Sequence, residues 1–103
     1  MNTATVNPTA AEFLMAKSAT KELRATHARF MTWQVWCDAF SAGSIDEATW
    51  ATKRPISKAA KHRMYDQAAR VHSLLHLDGD RPHTLAQIAD LLNQAETVLR
   101  NGF

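Results

Sequence analysis

The apolar residues of the chain recur mainly at three- and four-residue intervals, which is the period of an α-helix with one buried face. Residues 8–41 contain no helix breaker after Pro8, which is tolerated at the first helical position, and the first glycine is Gly43. A helix of that length would span roughly 50 Å, more than the diameter of a small domain. The sequence therefore predicts either a bend near residues 18–20, with Thr20 capping a second helix, or an end that projects.

The second half of this segment is the most apolar part of the chain. Its main stripe has helical spacing and comprises Leu23, Thr26, Phe30, Trp33, Cys37 and Phe40. Met31, Val35 and Trp36 lie beside that stripe, and Trp50 follows in the next short segment. A helix that is apolar around most of its circumference needs cover around most of it. Met31, Val35, Trp36 and Trp50 therefore have two interpretations, as buried core residues or as a protein-binding surface.

Turn and capping residues divide the rest of the chain into shorter helices. Gly43 is predicted to end the long segment, and Ser44 with Glu47 has the capping-box pattern of a short helix that ends near Lys53. The Arg54-Pro55 pair stops that helix, because a residue before proline is pushed out of the α region.

The last two helices each carry one apolar stripe. The first begins at Pro55 or Ser57, and the second begins at Thr84, whose capping-box partner is Gln87. The predicted buried residues are Ile56, Ala60, Met64, Ala68, Val71, Leu74 and Leu75 in one helix and Leu85, Ile88, Leu91, Leu92, Ala95, Val98 and Leu99 in the other. The pattern predicts a single all-α domain, a small antiparallel bundle of four to five helices, with residues 1–7 disordered.

Composition narrows the class of protein. The 103-residue chain has one cysteine, Cys37, which excludes an intramolecular disulfide and the usual multi-cysteine zinc sites. Cys37 lies in the most apolar stretch and is expected to be an inert core residue. The chain start lacks the pattern of a signal peptide, and no run approaches the roughly 18 apolar residues of a membrane span. These features predict a soluble, cytoplasmic protein without a membrane partner.

Charge is distributed unevenly. Residues 53–70 carry six Lys or Arg side chains and one Asp, so the rest of the chain has a net charge of −3 although the total is +2. The candidate anion-binding or nucleic-acid-binding residues are Lys53, Arg54, Lys58, Lys61, His62, Arg63 and Tyr65. Helical spacing puts Arg54, Lys58, Lys61 and Tyr65 on one side, so we expect either a solvated helix face or a stripe that meets nucleic acid or an acidic protein.

Residues 84–100 resemble a bacterial helix-turn-helix. The segment Thr84–Leu92 has a threonine cap and an Ile-Ala pair, and Thr97–Arg100 has the threonine, valine and arginine of a recognition helix. The resemblance implies a transcriptional regulator that reads DNA with the second helix. The other interpretation is one amphipathic helix, since Asn93-Gln94 stands where the turn would be and the segment holds two acids for one base.

Candidate chemistry is sparse. His72 and His76 are four residues apart, the spacing of a helical metal-binding pair, but the metalloprotease glutamate is missing between them. No glycine-rich loop, nucleophile with a base, or close carboxylate pair is evident, so the sequence predicts neither an enzyme nor a metal or cofactor site.

These features favour a non-catalytic, protein-binding regulator, adaptor or inhibitor of the small bacterial or phage type, acting through the apolar helix surface and the basic face, with homodimerisation as an option. The alternative is a nucleic-acid-binding transcriptional regulator that uses the degenerate helix-turn-helix at residues 84–100 or the basic stripe at residues 53–63. A metal-dependent or other enzyme is the least favoured class.

Overall fold

A computed structural model describes residues 8–101 of the chain, and the regular structure of this part is helical. The helices are α1 (Pro8–Ser41), α2 (Glu47–Trp50), α3 (Lys58–Leu74) and α4 (Leu85–Asn101). The predicted all-α fold is confirmed. Residues 1–7, predicted to be disordered, lie outside the described residues. Within the described part, no helix combines the length and the apolar character needed to cross a membrane.

The long first helix is continuous. α1 runs without interruption through residues 18–20, so the predicted second helix starting at Thr20 does not form. Tertiary packing explains the difference, because Ala16, Ala19 and Thr20 are buried among the other helices rather than exposed at a bend. The 34 residues of α1 span roughly 50 Å, and the molecule measures 66 × 26 × 22 Å. The projecting end that the sequence predicts as the other option is therefore present.

The core lies where α3 and α4 pack on residues 16–30 of α1. Its members are Ala16, Ala19, Leu23 and Phe30 of α1, Met64, Ala68, Val71 and Leu75 at α3, and Ile88, Leu91, Leu92 and Ala95 of α4. The stripes of α3 and α4 follow the predicted residues, which confirms their helical periodicity. Ala16 and Ala19 were not predicted, and their small side chains allow the other helices to approach α1 closely.

α3 runs in the opposite direction to α1. Its first turn lies about three-quarters of the way along α1, where Lys58 and Trp33 line the same groove. Further along, Gln67 Nε2 donates a hydrogen bond of 3.0 Å to Glu22 Oε1, which is more than two turns closer to the start of α1.

α4 also runs opposite to α1, and therefore in the same direction as α3. His27 Nε2 lies 3.1 Å from the carbonyl oxygen of Leu85 at the start of α4, while Leu99 near its end lines a cleft with Phe13. Residues 75–84 return the chain between the two helices. Ten extended residues reach about 33 Å, enough to retrace the roughly 25 Å of a 17-residue helix.

The turn after α1 follows the predicted glycine but not the predicted cap. Gly43 has a φ of +76°, and the amides of Gly43 and Ser44 bond to carbonyls three and five residues earlier, at 3.0 and 2.8 Å. This Schellman arrangement uses Ser44 to close α1. α2 is capped instead by Asp46, whose Oδ1 accepts from the amide of Thr49 at 2.7 Å, and it ends at Trp50.

The caps of the last two helices are confirmed. Ser57 Oγ accepts from the amide of Ala60 at 3.1 Å and opens α3. Thr84 Oγ1 accepts from the amide of Gln87 at 3.1 Å and opens α4. The Gln87 side chain reaches back to the amide of His83 at 2.7 Å, one residue before the cap that the capping-box pattern predicts.

Candidate interaction surface

α1 leaves the core before it ends. Phe30 is the last buried residue of α1, and the predicted stripe beyond it is only half-buried. Cys37 belongs to this half-buried part, so its predicted place in the core is wrong. We call residues 31–54 the aromatic end, because the three tryptophans of the chain all lie there.

Ring stacking holds α2 against α1. The Trp50 ring lies between two partners from α1, with centroid distances of 5.0 Å to Trp33 and 4.8 Å to Phe40 and interplanar angles of 28° and 22°. Lys53 Nζ lies 3.6 Å from the centroid of the Trp36 ring, which is a cation–π contact. Each aromatic pair contributes about 0.5–1.5 kcal/mol beyond the area it buries. These contacts fix the loop after α1 and orient the rings at its surface.

The four predicted protein-binding residues do not form one surface. Met31 and Val35 are one turn apart on α1 and are 42% and 62% exposed. Trp36 and Trp50 are half-buried in the aromatic contacts on another side of the helix. The aromatic end therefore presents an aliphatic side and an aromatic side.

The predicted basic stripe is divided between two places. Arg54 is not on the same helix as Lys58, because α3 begins only at Lys58. Lys58, Lys61, His62 and Tyr65 line a groove with α1, whereas Arg54 and Lys53 line a second groove on the other side of Trp33. Arg63 is exposed and lines neither groove.

The first groove lies between residues 30–34 of α1 and the start of α3, and we call it the α3 groove. It encloses about 710 Å³. Its lining residues are Phe30, Trp33, Gln34, Ile56, Ser57, Lys58, Lys61, His62, Tyr65 and Leu85. Phe30 is buried and Ile56, Tyr65 and Leu85 are half-buried, while Lys58, Lys61 and His62 are exposed. The groove therefore has an apolar floor and a basic rim.

The second groove lies between α1 and the segment that follows α2, and we call it the α2 groove. It encloses about 450 Å³. Its lining residues are Ala28, Arg29, Thr32, Trp33, Trp36, Thr52, Lys53, Arg54 and Ile56. Trp33 and Ile56 belong to both grooves and form the wall between them.

Sequence reasoning missed Arg29, which adds a guanidinium to the α2 groove. A signal for it exists, because Arg29 stands four residues before Trp33 and seven before Trp36, and these spacings place all three on one side of a helix. The sequence pattern predicts Trp33 only as a member of the apolar stripe, whereas the structure shows that it lines both grooves.

Hydrogen bonding makes one carboxyl near the aromatic end more acidic. The side chain and then the backbone of Thr49 donate to Asp46 and hold the pKa of this carboxyl below its ordinary value of 3.8. Asp46 is therefore anionic as the cap of α2 over a wide pH range.

Two other constellations that the sequence offers as candidates do not form. His76 lies after the end of α3 with a φ of +53°, so His72 and His76 are not a pair on one helix face. Among residues 8–101, no three His, Cys, Asp or Glu side chains come together in a group that could hold a metal ion. α4 continues through Asn93 and Gln94, so residues 84–100 form one helix without the turn of a helix-turn-helix.

No known family model matches the chain, and no curated protein or solved structure matches it. Its function is therefore inferred from its own residues and contacts.

Proposed function

We propose that the protein is a non-catalytic binding module, a regulator, adaptor or inhibitor that recognises another protein through its aromatic end. The observation that carries this proposal is the placement of Trp33, Trp36 and Trp50 outside the core, on the projecting part of α1 and on α2 beside it. Tryptophan is among the residues that contribute most to binding at protein interfaces.

The core gives a second reason. It is closed by aliphatic and small residues together with Phe30, and the largest fully buried side chains are Leu23, Met64, Ile88, Val71 and Thr20. None of the three tryptophans is a member of this core. Large apolar side chains that a core does not use are costly to leave in water, and a binding surface gives them a role.

The aromatic end is also ordered in advance of binding. The stacks of Trp50 on Trp33 and Phe40, and the Lys53 contact on Trp36, restrict the rotamers of these side chains. A surface whose side chains are already ordered loses less entropy when a partner docks.

Nucleic-acid binding is the second candidate function, and the basic groove rims favour it. Within residues 8–101, Arg29, Arg54, Lys58 and Lys61 form no ion pair, whereas Arg100 pairs with Glu96 at 2.9 Å. Unpaired cations beside a groove attract phosphates as well as carboxylates. In this candidate function the grooves bind the nucleic acid in place of a helix-turn-helix, since α4 is continuous.

Site-specific photocrosslinking in cells of the native host tests the proposal. A photoreactive residue replaces Thr32, which is exposed and lines the α2 groove, and in a matched control it replaces Ser18, which is exposed on α1 beside the core. We expect light-dependent adducts with protein from position 32 and none from position 18.

The nature of the adduct separates the functions. A protease-sensitive adduct with a heterologous protein supports the proposal, and an adduct with a second copy supports protein binding in the form of homodimerisation. A nuclease-sensitive adduct supports the second candidate. Equal labelling from both positions, or none from position 32, contradicts binding through the aromatic end.

A further inference from the structure

The two grooves share one wall and so form a single two-chambered surface. Trp33 and Ile56 line both the α3 groove and the α2 groove. With volumes of about 710 and 450 Å³, each groove is open to solvent and large enough for a leucine-sized or aromatic side chain. A single extended or helical segment that crosses the Trp33–Ile56 wall would reach both chambers.

The charged residues that line this surface are all basic. Arg29, Lys53 and Arg54 line the α2 groove, and Lys58, Lys61 and His62 line the α3 groove. Among the described residues that line either groove there is no Asp or Glu. Apolar walls of low polarisability strengthen the field of cations beside them, so the surface complements a ligand that is both acidic and apolar.

The aromatic rings favour a polypeptide over a nucleic acid. Single-stranded nucleic acid binds by stacking its bases on free aromatic faces. Here Trp33 stacks on Trp50, and the Lys53 ammonium lies over the Trp36 ring. One face of Trp33 and one face of Trp36 are thus engaged within the chain, and the remaining walls, which include Phe30 and Ile56, suit aliphatic or aromatic side chains.

We propose that the α3 groove and the α2 groove bind one acidic polypeptide segment, which inserts an apolar side chain into each chamber and places carboxylates against the basic rims. This inference rests on the proposed protein-binding function and specifies the chemistry of the partner. Lys58 and Lys61 act at the rim of the first chamber, and Arg29 and Arg54 act at the second.

Selection of binders from a randomised peptide library displayed on phage tests this proposal with the full-length protein as bait. We expect the enriched peptides to be acidic and to share two apolar positions at a constant spacing. Replacing these apolar positions by serine, or raising the salt concentration, should weaken binding by about tenfold or more.

Paired charge reversals locate the binding. Lys58→Glu with Lys61→Glu should weaken the selected peptide by about tenfold or more. The matched control, Lys17→Glu with Lys21→Glu, changes the net charge equally at exposed positions of α1 beside the core and should leave affinity unchanged. Equal melting temperatures of the two variants would show that folding is not the cause.

The indole N–H signals in ¹H–¹⁵N NMR spectra report the contact directly. The three tryptophans give three signals, assigned by Trp→Phe variants, and the selected peptide should shift those of Trp33 and Trp36. Enrichment of neutral or basic peptides, no enrichment, or shifts caused only by an oligothymidine probe would each overturn the acidic-segment proposal. Protein adducts from position 32 would then still stand as support for protein binding as such.

Discussion

The two parts of α1 are both rich in apolar residues, yet they serve different purposes. Between Ala16 and Phe30 the helix contributes two alanines, a leucine and a phenylalanine to a closed core with α3 and α4. After Phe30 it carries Trp33, Trp36 and Phe40, whose ring contacts are with Trp50 of α2 and Lys53 of the segment that follows it. Apolar content along a helix therefore does not reveal burial, because burial depends on which neighbours the fold brings to each turn.

The difference also separates stability from recognition. The core end has small residues where helices approach closely, and the aromatic end has large rings where there is little to cover them. A change in the core should alter the free energy of unfolding of the whole chain. A change in the aromatic end should act locally and on binding.

The largest expected effect comes from the same substitution at two places on α1, which tests where the core lies. Leu23 is completely buried, so Leu23→Ala should lower the free energy of unfolding by about 2–5 kcal/mol through lost burial and a cavity. Leu14 is 60% exposed, and Leu14→Ala should change the free energy of unfolding by no more than about 0.5 kcal/mol. Urea denaturation followed by circular dichroism measures both. Equal losses would contradict the placement of the core.

The substitution Trp50→Ala should destabilise the aromatic end and leave the core unchanged. Trp50→Ala removes both ring stacks, and we expect a local destabilisation of about 1–3 kcal/mol from two lost aromatic pairs. Amide hydrogen exchange should accelerate in residues 47–53 and stay unchanged at Met64 and Ile88 in the core. Faster exchange throughout α3 and α4 would show that the two ends unfold as one unit.

Backbone conformation at the two turns gives effects of opposite sign. His76 has a φ of +53°, so His76→Gly should raise stability by about 0.5–1 kcal/mol, because glycine adopts this conformation without strain. Gly43→Ala in the turn after α1 should cost about 1 kcal/mol, although an added Cβ meets no atom within 4 Å. Thermal melting compares the two variants. Stabilisation by Gly43→Ala would contradict the described turn.

The smallest effect is a pH dependence confined to the aromatic end. The pKa of Asp46 is lowered by its bonds to Thr49, so its contribution is complete above the ordinary value of 3.8 and is lost as the pH falls through the lowered pKa. The Thr49 amide signal and the Trp50 indole signal should follow this titration in NMR spectra.

Asp46→Asn is the control, because asparagine also caps helices but does not titrate. In this variant the two signals should stay constant over the same acidic range. A titration that persists in the variant would assign the effect to another group.

The sequence predicted α3 and α4 well, because each has one apolar stripe that faces one set of neighbours. It did not predict the packing of Ala16, Ala19 and Thr20, since small side chains and a threonine give little hydrophobic signal. The sequence pattern also predicted Ser44 as the cap of α2, whereas Asp46 is the cap. Both residues can cap a helix, and the closure of α1 at Gly43 decides between them by using the Ser44 amide.

The candidate surface was predicted in its components but not in its arrangement. The sequence indicated the basic residues and the aromatic residues as separate features, and the fold joins them across Trp33 and Ile56. Which side of α1 meets α3 is set by the packing of the core. Spacing places Arg29 on the side of Trp33 and Trp36, but it does not show that this side lines a groove with the segment after α2.

Because α1 is continuous, the orientation of the aromatic end about the helix axis is fixed relative to the core. Each helical residue adds about 100° of rotation and 1.5 Å of length, so the number of residues between Phe30 and Trp33 fixes the direction of the rings relative to the core. One inserted residue there would turn Trp33 away from Ile56 and separate the two chambers. An insertion of seven residues would restore the direction of the Trp33 ring to within about 20° but move the ring roughly 10 Å along the helix axis. The number of residues in the helix therefore sets both the angle and the distance between the core and the binding surface.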